Sequence, residues 1–527
     1  MTRDFMSERT QPWLECLACQ ARFAVAPLFS GCPACQEAGR KSPLEVRYDY
    51  ARLGGLEPDS SKPGIWRWHP LLPPVEPHNR VSLGEGNTPL VQLHGWSGST
   101  RLYLKNETAN PTWAYKDRAN CVSASLARQF GLKNIATVST GNHGNSLSAY
   151  AAAGGLRCVV FCHADAPELQ LALMQFYGAR VFRGGRREAM LEKLAARGDW
   201  FPACTSSLRD NFANPFAIEG FKTIAFEIFE QLDGRVPDRV FVPVGSGDGF
   251  YGIWKGFVEL ERLGVTDKRP RMVACQSTGA DCYVRAWRRR AEHLTPLAHA
   301  RTVALSICEE IGGEQALGAI YESAGAAIGI LDEAILEAAS QLARQGFALE
   351  PASAAAVAGA RSMAAGESAL GVEAGACWVA IGTGAAVKWP QNILARPVAA
   401  TKGDDTATSG ARPARTRCLK IFASKTNFYG FALQTARACP TGCPPSSRIS
   451  TSCFRWSRQS RACWRSIGRP GCRLLALSRC SCRGIIPTLA VELRAYPKTA
   501  RDCPHFAPSA ERNGDRPSLR GGFPIGS

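Results

Sequence analysis

A chain of 527 residues with 45% hydrophobic and 20% charged residues has the make-up of a folded globular protein and the length for two or three domains. Its net charge of +18 would point to nucleic acid or an anionic membrane, but residues 396–527 carry 23 Lys+Arg against 6 Asp+Glu, which leaves 40 against 39 in the first 395 residues. The main body is nearly neutral, Met1 to Gln11 is polar with no apolar signal region, and no apolar run of about eighteen residues could span a bilayer. The expected setting is the cytoplasm, with no nucleic acid and no membrane as partner.

In chain order, Cys16-x2-Cys19 and Cys32-x2-Cys35 come first, separated by twelve residues. That spacing is that of a zinc ribbon, in which four thiolates close a tetrahedral site and leave no position for a reacting water, so the metal expected is structural. Residues 1–50 form this segment; residues 51–80, rich in Pro, Gly and Ser, read as a linker wrapping the body.

From Leu83 to about Val387, β-branched runs alternate with helical patterns. Asn134 to Ser139, Arg157 to Cys162, Arg239 to Val244, Met272 to Gln276 and Cys377 to Gly382 read as buried parallel strands. Ala119 to Phe130, Gly144 to Ala153, Glu168 to Tyr177, Gly220 to Leu232, Gly249 to Leu263 and Asp332 to Gln345 read as helices. Such alternation gives an α/β region, residues 81–395, with mostly parallel sheets and ligands at the C-terminal ends of the strands. Lys116 lies where a loop, after the Asn110-Pro111 turn signal, enters a helix. The helix N-terminus there is expected to depress its ammonium, as an amine that forms a Schiff base requires. Ser139-Thr140-Gly141-Asn142-His143-Gly144 and Gly245-Ser246-Gly247-Asp248-Gly249 are strand-to-helix loops; the first can hold a carboxylate and the second a phosphate on backbone N–H groups. Asp248 reads as the N-cap of the following helix.

Residues 396–527 hold 9 of the 21 cysteines, among Arg, Ser and Pro, with no sustained period. A disulfide module needs an oxidising compartment, and a disordered arm is seldom so rich in Cys and Trp. The favoured reading is a chain translated out of its natural frame.

Asn110-Pro111-Thr112-Trp113-Ala114-Tyr115-Lys116-Asp117-Arg118 resembles the Asn-Pro-Thr-x-x-x-Lys-Asp-Arg segment of threonine synthases. Ser82 to Leu90 looks like that family's entry motif and Ser139 to Asn142 like its cofactor and substrate loop, and the likeness runs from about Cys16 to about Pro390. It implies a two-domain tryptophan-synthase-β-like fold (fold type II) binding pyridoxal 5′-phosphate, preceded by the zinc ribbon. It further implies Lys116 as the catalytic and cofactor-bearing amine, Asn142 on the cofactor's 3′-oxygen, Gly245, Ser246, Gly247, Asp248 and Gly249 around its phosphate, and Thr383 on its pyridine nitrogen. Thr88, Ser139 and Thr140 would bind a small amino-acid substrate; Glu350 to Ser353 would wall the site, and the resemblance admits a homodimer. The activity implied is conversion of O-phospho-L-homoserine and water to L-threonine and phosphate. His143 stands where the family has Thr or Ser and looks like amino-acid dehydratases, and Ala385 stands at the family's His. Threonine/serine dehydration and a catalytically inactive ligand-binding relative therefore remain as alternatives.

Overall fold

The computed structural model describes residues 11–95, 100–204, 214–366, 373 and 375–391. The tail reading falls outside them.

Near the N-terminus β1 (Trp13–Cys16), β2 (Arg22–Ala24), α1 (Pro33–Glu37) and β3 (Leu44–Arg47) make a three-stranded antiparallel sheet ordered β2-β1-β3. Cys16 ends β1 and Cys32 and Cys35 flank the start of α1, so the two Cys-x2-Cys turns face each other; all four sulfurs lie within 4.8 Å of one another. After α2 (Tyr50–Leu53) comes the stretch read as a linker wrapping the body, and it packs against that body. Trp66 and Trp68 are buried, Trp66 donating to the Val81 carbonyl at 3.2 Å and Trp68 meeting Phe226 edge-on at 5.6 Å.

The body continues with β4 (Leu90–Gln92), β5 (Arg101–Asn106), α3 (Lys116–Gln129), β6 (Asn134–Val138), α4 (Asn142–Ala153), β7 (Arg157–Cys162) and α5 (Glu168–Phe176). There follow β8 (Arg180–Arg183), α6 (Arg187–Ala195), β9 (Trp200–Pro202), α7 (Pro215–Gln231), β10 (Arg239–Pro243), α8 (Asp248–Arg262), β11 (Arg271–Ser277) and α9 (Cys282–Arg288). Last come α10 (Glu314–Glu322), β12 (Ala326–Ile330), α11 (Asp332–Arg344), α12 (Pro351–Ala364) and β13 (Cys377–Gly382). These strands build two sheets. One is four-stranded and parallel, β8-β7-β6-β9; the other is six-stranded, β12-β11-β10-β13-β5-β4, parallel except for the β4 edge. Their apolar runs, such as Val240-Phe241-Val242, are buried because helices cover both faces of a parallel sheet.

Helices α3, α7 and α8 are stacked backbone to backbone. A Cβ at Gly220 would sit 2.1 Å from the Arg118 carbonyl oxygen, at Gly252 2.9 Å from that of Ile218, and at Gly256 2.4 Å from that of Lys222. Only glycine permits so close an approach.

Two buried charge clusters tie this stack down. In one, Glu227 of α7 accepts from Lys105 and Arg118, each at 2.7 Å, and Arg118 also pairs with Glu107. In the other, Lys222 and Lys255 lie among Glu219, Glu259 and Glu45. Glu45 belongs to β3, the neighbouring Val46 carbonyl also accepts from Lys255, and Tyr48 donates to Glu219 at 2.6 Å. The cysteine ribbon is thereby docked through buried ion pairs to α8, two turns from its first residue.

Candidate functional site

Strand-to-helix loops of both sheets converge on Tyr115 and Lys116. The Tyr115 N–H donates to the Thr383 carbonyl at 2.9 Å, joining the start of α3 to the end of β13. A Cβ on Gly249, at the start of α8, would lie 2.5 Å from the Tyr115 ring. The Lys116 ammonium sits 5.2 Å from the centroid of that ring and 5.3 Å from that of Phe221.

Lys116 is the first residue of α3, where the loop enters the helix as the sequence indicates, but its charge differs from the expectation. Burial works against the ammonium; Tyr115, Asp248 and Glu309 outweigh it and hold the amine above the ordinary lysine range. The helix terminus does not win, because acidic groups converge on the same amine.

The Asn142 amide nitrogen donates to both Glu350 oxygens, at 2.9 and 3.0 Å, while its amide oxygen is buried without a partner among the described residues. Burial keeps Glu350 above the ordinary carboxylate range, against the pull of Lys388 and Asn142. Gly384 leaves room for this contact, since a Cβ there would meet Glu350 at 2.9 Å and Asn142 at 3.0 Å. Thr383 shares a hydrogen bond of 2.9 Å with Ser353, whose hydroxyl also accepts the Gly384 N–H at 2.7 Å.

Ser139 accepts from the N–H groups of Gly144 (2.9 Å) and Gly141 (3.3 Å), fixing the loop that opens α4 and leaving its hydroxyl hydrogen for an anion. Thr140, beside it, accepts from the His163 N–H at 3.4 Å. His143 shares a contact of 3.4 Å between its Nδ1 and the Asn120 amide nitrogen, one turn from Lys116 on α3; its Nε2 is buried without a partner among the described residues. Burial, with the Lys116 charge nearby, pushes its pKa down to about 3, so the imidazole is neutral. With Nδ1 accepting from Asn120, the ring proton is assigned to Nε2.

Gly245 to Gly249 join β10 to α8. Gly247 takes a left-handed φ of +99° and is itself the N-cap, so Asp248 is the first helical residue and makes no side-chain cap. The capping role read for Asp248 is therefore corrected: the turn needs a positive φ, which glycine supplies. Burial raises the Asp248 carboxyl, with Lys116 opposing, so its charge is weakened where a phosphate's would add to it.

Thr88 is not brought to this constellation. It is buried, its hydroxyl donating to Glu107 at 2.6 Å and accepting from Arg118 at 3.2 Å, and it completes the charge cluster behind α3. The assignment of Thr88 to substrate is replaced by this packing role.

Sequence reasoning gave no role to Tyr115, Asp117 or Lys388. Lys388 is buried, donates to the Thr112 carbonyl at 2.7 Å, and is pushed down to about 8 by burial against the attraction of Glu350 and Asp117. Burial pushes Asp117 up to about 6. A lysine next to the Thr383 loop and an acid next to Lys116 were the signals available.

The residues fit a planar aldehyde cofactor bearing one phosphate. They offer an amine, an amide with an unpartnered buried oxygen, a neutral hydroxyl at Thr383, and a glycine turn that exposes the N–H groups opening α8.

Residues 81–384 match the family described as pyridoxal-phosphate dependent enzyme. The chain is 38% identical over 363 residues to a threonine synthase of Methanocaldococcus jannaschii, covering 66% of this chain and 86% of that one. It is 36% identical over 364 residues to a threonine synthase of Methanosarcina acetivorans, with the same coverage. The processed form of threonine deaminase isoform 2 from Solanum lycopersicum superposes with a TM-score of 0.51 at 20% identity, over 65% of this chain and 96% of that one, a likeness of fold.

Proposed function

Because the chain belongs to the family of pyridoxal-phosphate dependent enzymes and is a lyase, we propose that it converts O-phospho-L-homoserine and water to L-threonine and phosphate. The observation that supports this most is the gathering of the Lys116, Asn142, Gly245–Gly249 and Thr383 loops around one amine, in a chain whose threonine synthase relatives it matches over 86% of their length.

Bound pyridoxal phosphate supplies an electron sink for carbanions formed next to the substrate's amino group. The N–H groups of Gly245 to Gly249 and the α8 terminus would hold its phosphate, Asn142 its 3′-oxygen and Thr383 its pyridine nitrogen. A hydroxyl there would leave that nitrogen unprotonated, which favours elimination and replacement over transamination. The loop Ser139–Asn142 orients the substrate carboxylate. Lys116 carries protons between substrate carbons; the acids around it keep its ammonium form available as a donor. A second reading, threonine or serine dehydration, is favoured by His143 and its unpartnered Nε2. In both readings Cys16, Cys19, Cys32 and Cys35, whose sulfurs cluster, would hold a structural zinc.

Steady-state assays of the purified full chain test this. Release of inorganic phosphate from O-phospho-L-homoserine is expected; ammonia and a keto acid from threonine or serine, without phosphate release, would replace it with the dehydratase. No turnover of either substrate would leave an inactive relative.

A further inference from the structure

Away from the site, a surface cleft of about 600 Å³ opens between the segment that follows α9 and helix α10. Arg290 and His293 line it from the first side, Glu314, Leu317, Gly318 and Tyr321 from the second. Arg290 holds a left-handed φ of +54°, in the position after a helix end where glycine is usual. Such strain persists where the surrounding structure over-determines the backbone. Above Gly318 there is open space, since a Cβ added there meets nothing within 4 Å.

The lining selects a class of ligand. A cation alone would face Arg290, and a polyanion would face Glu314 and Glu292. One Glu314 oxygen is committed to the Leu294 N–H at 3.0 Å; the other is only 3.8 Å from His293 Nδ1. A guanidinium and a carboxylate beside an apolar Leu317 and the Tyr321 ring suit a molecule with one charge of each sign.

The cleft is also wired to the glycine loop of the cofactor site. Tyr321 donates to the Ala291 carbonyl at 2.8 Å, fastening the Arg290 segment to α10. Helix α10 starts directly after Gly313, whose N–H donates to the Ser246 carbonyl at 2.7 Å. The Tyr283 hydroxyl lies 3.1 Å from the Ser246 carbonyl and 3.0 Å from that of Gly313, and a Cβ on Gly247 would lie 2.3 Å from it. A shift at the start of α10 is thus a shift of the loop that holds the phosphate.

We propose that this cleft is a second ligand site, taking a free α-amino acid with its carboxylate on Arg290 and its ammonium on Glu314, and that occupancy alters cofactor affinity through Gly313 and Tyr283. The coupling is reciprocal, so bound cofactor changes affinity at the cleft by the same factor. The inference does not depend on which amino acid the catalytic site transforms.

The test is calorimetric titration of full-length holoenzyme with L-threonine, L-isoleucine and L-methionine, with cofactor absorbance recorded in parallel to register catalytic-site occupancy. At least one probe should show a binding event that leaves the absorbance unchanged. Its methyl ester and its N-acetyl derivative should each bind at least about tenfold more weakly, because each loses one charge. Gly318→Trp, which fills open space on a helix, should abolish the event and keep the absorbance response. Arg290→Gly should weaken it at least about tenfold while raising the melting temperature, because the strained φ is relieved. Saturation of the cleft should change the cofactor dissociation constant by about fivefold or more in wild type and not in Gly318→Trp. An isotherm in Gly318→Trp that superposes on wild type, or no such event with any probe up to about 10 mM, overturns the site. Binding that leaves cofactor affinity unchanged overturns the coupling.

Discussion

Replacing Lys255 by Met measures how firmly the cysteine ribbon is held to the catalytic body. Lys255 lies 2.5 Å from Glu219, 3.4 Å from Glu45 and 3.7 Å from Glu259, all buried, and it also donates to the Val46 carbonyl. The variant leaves three carboxylates with Lys222 and, on the β3 side, Arg47, which is 2.7 Å from Glu45. Removing one partner from a buried ion cluster costs about 3–5 kcal/mol. The protein can limit that cost by protonating Glu259, which burial already raises above the ordinary range against the pull of Lys222 and Lys255. A carboxyl whose folded pKa exceeds its unfolded value destabilises the fold as pH rises above the unfolded value, until the folded pKa is passed. The deficit should therefore be small near pH 5 and grow toward pH 8, with a slope of up to about 1.4 kcal/mol per pH unit for one proton. Urea unfolding of the full chain at both pH values, read by fluorescence of the buried Trp66, Trp68 and Trp254, gives the difference directly. A deficit below about 1 kcal/mol at pH 8, or one flat between pH 5 and pH 8, would refute the view that these carboxylates share two ammoniums in a dry interface.

Lys116→Ala should abolish the visible absorbance of bound pyridoxal phosphate, and unchanged absorbance and turnover would remove Lys116 from its role. Metal analysis should find one zinc per chain, lost together with part of the thermal stability when Cys16 and Cys19 become Ser; full activity and an unaltered melting curve would show the ribbon dispensable. Glu227, held below the ordinary range by Arg118 and Lys105 in spite of burial, contributes stability that is present above the normal glutamate pKa and fades as pH falls below it. Glu227→Gln should cost about 3–5 kcal/mol near neutrality and flatten the acid limb of the stability profile, and an unchanged limb would contradict that assignment.

The long, strongly patterned elements were legible from sequence. Arg157–Cys162 and Cys377–Gly382 form strands as read, and the helix read from Gly249 starts one residue earlier, at Asp248. What escaped was shorter or less patterned. Helix α12 is a run of Ala and small residues buried on nearly every side, so no polar face marks its period, and β4 and β9 have three residues each. At the site, the motifs located the loops but not the facing side chains. Thr88 sits in an entry motif, yet the Glu227 carboxylate that accepts its N–H lies 139 residues away, a distance no local pattern crosses. Asp248 looked like a cap because Asp often is one; the left-handed turn at Gly247 decides otherwise. The raised Lys116 ammonium depends on acids from distant segments, Asp248 and Glu309 among them, and is visible only once they are folded together.

The glycine contacts joining α3, α7 and α8 bear on how such a protein can diverge. With no side-chain layer between Gly220 and the Arg118 backbone, or between Gly256 and that of Lys222, there is nothing to repack when a neighbour changes. A methyl group at either position drives two main chains apart, and both Lys116 and the Gly245–Gly249 loop move with them. The stack is therefore stiff and intolerant of drift, a mount for the amine and the phosphate loop that selection can keep or lose but hardly adjust.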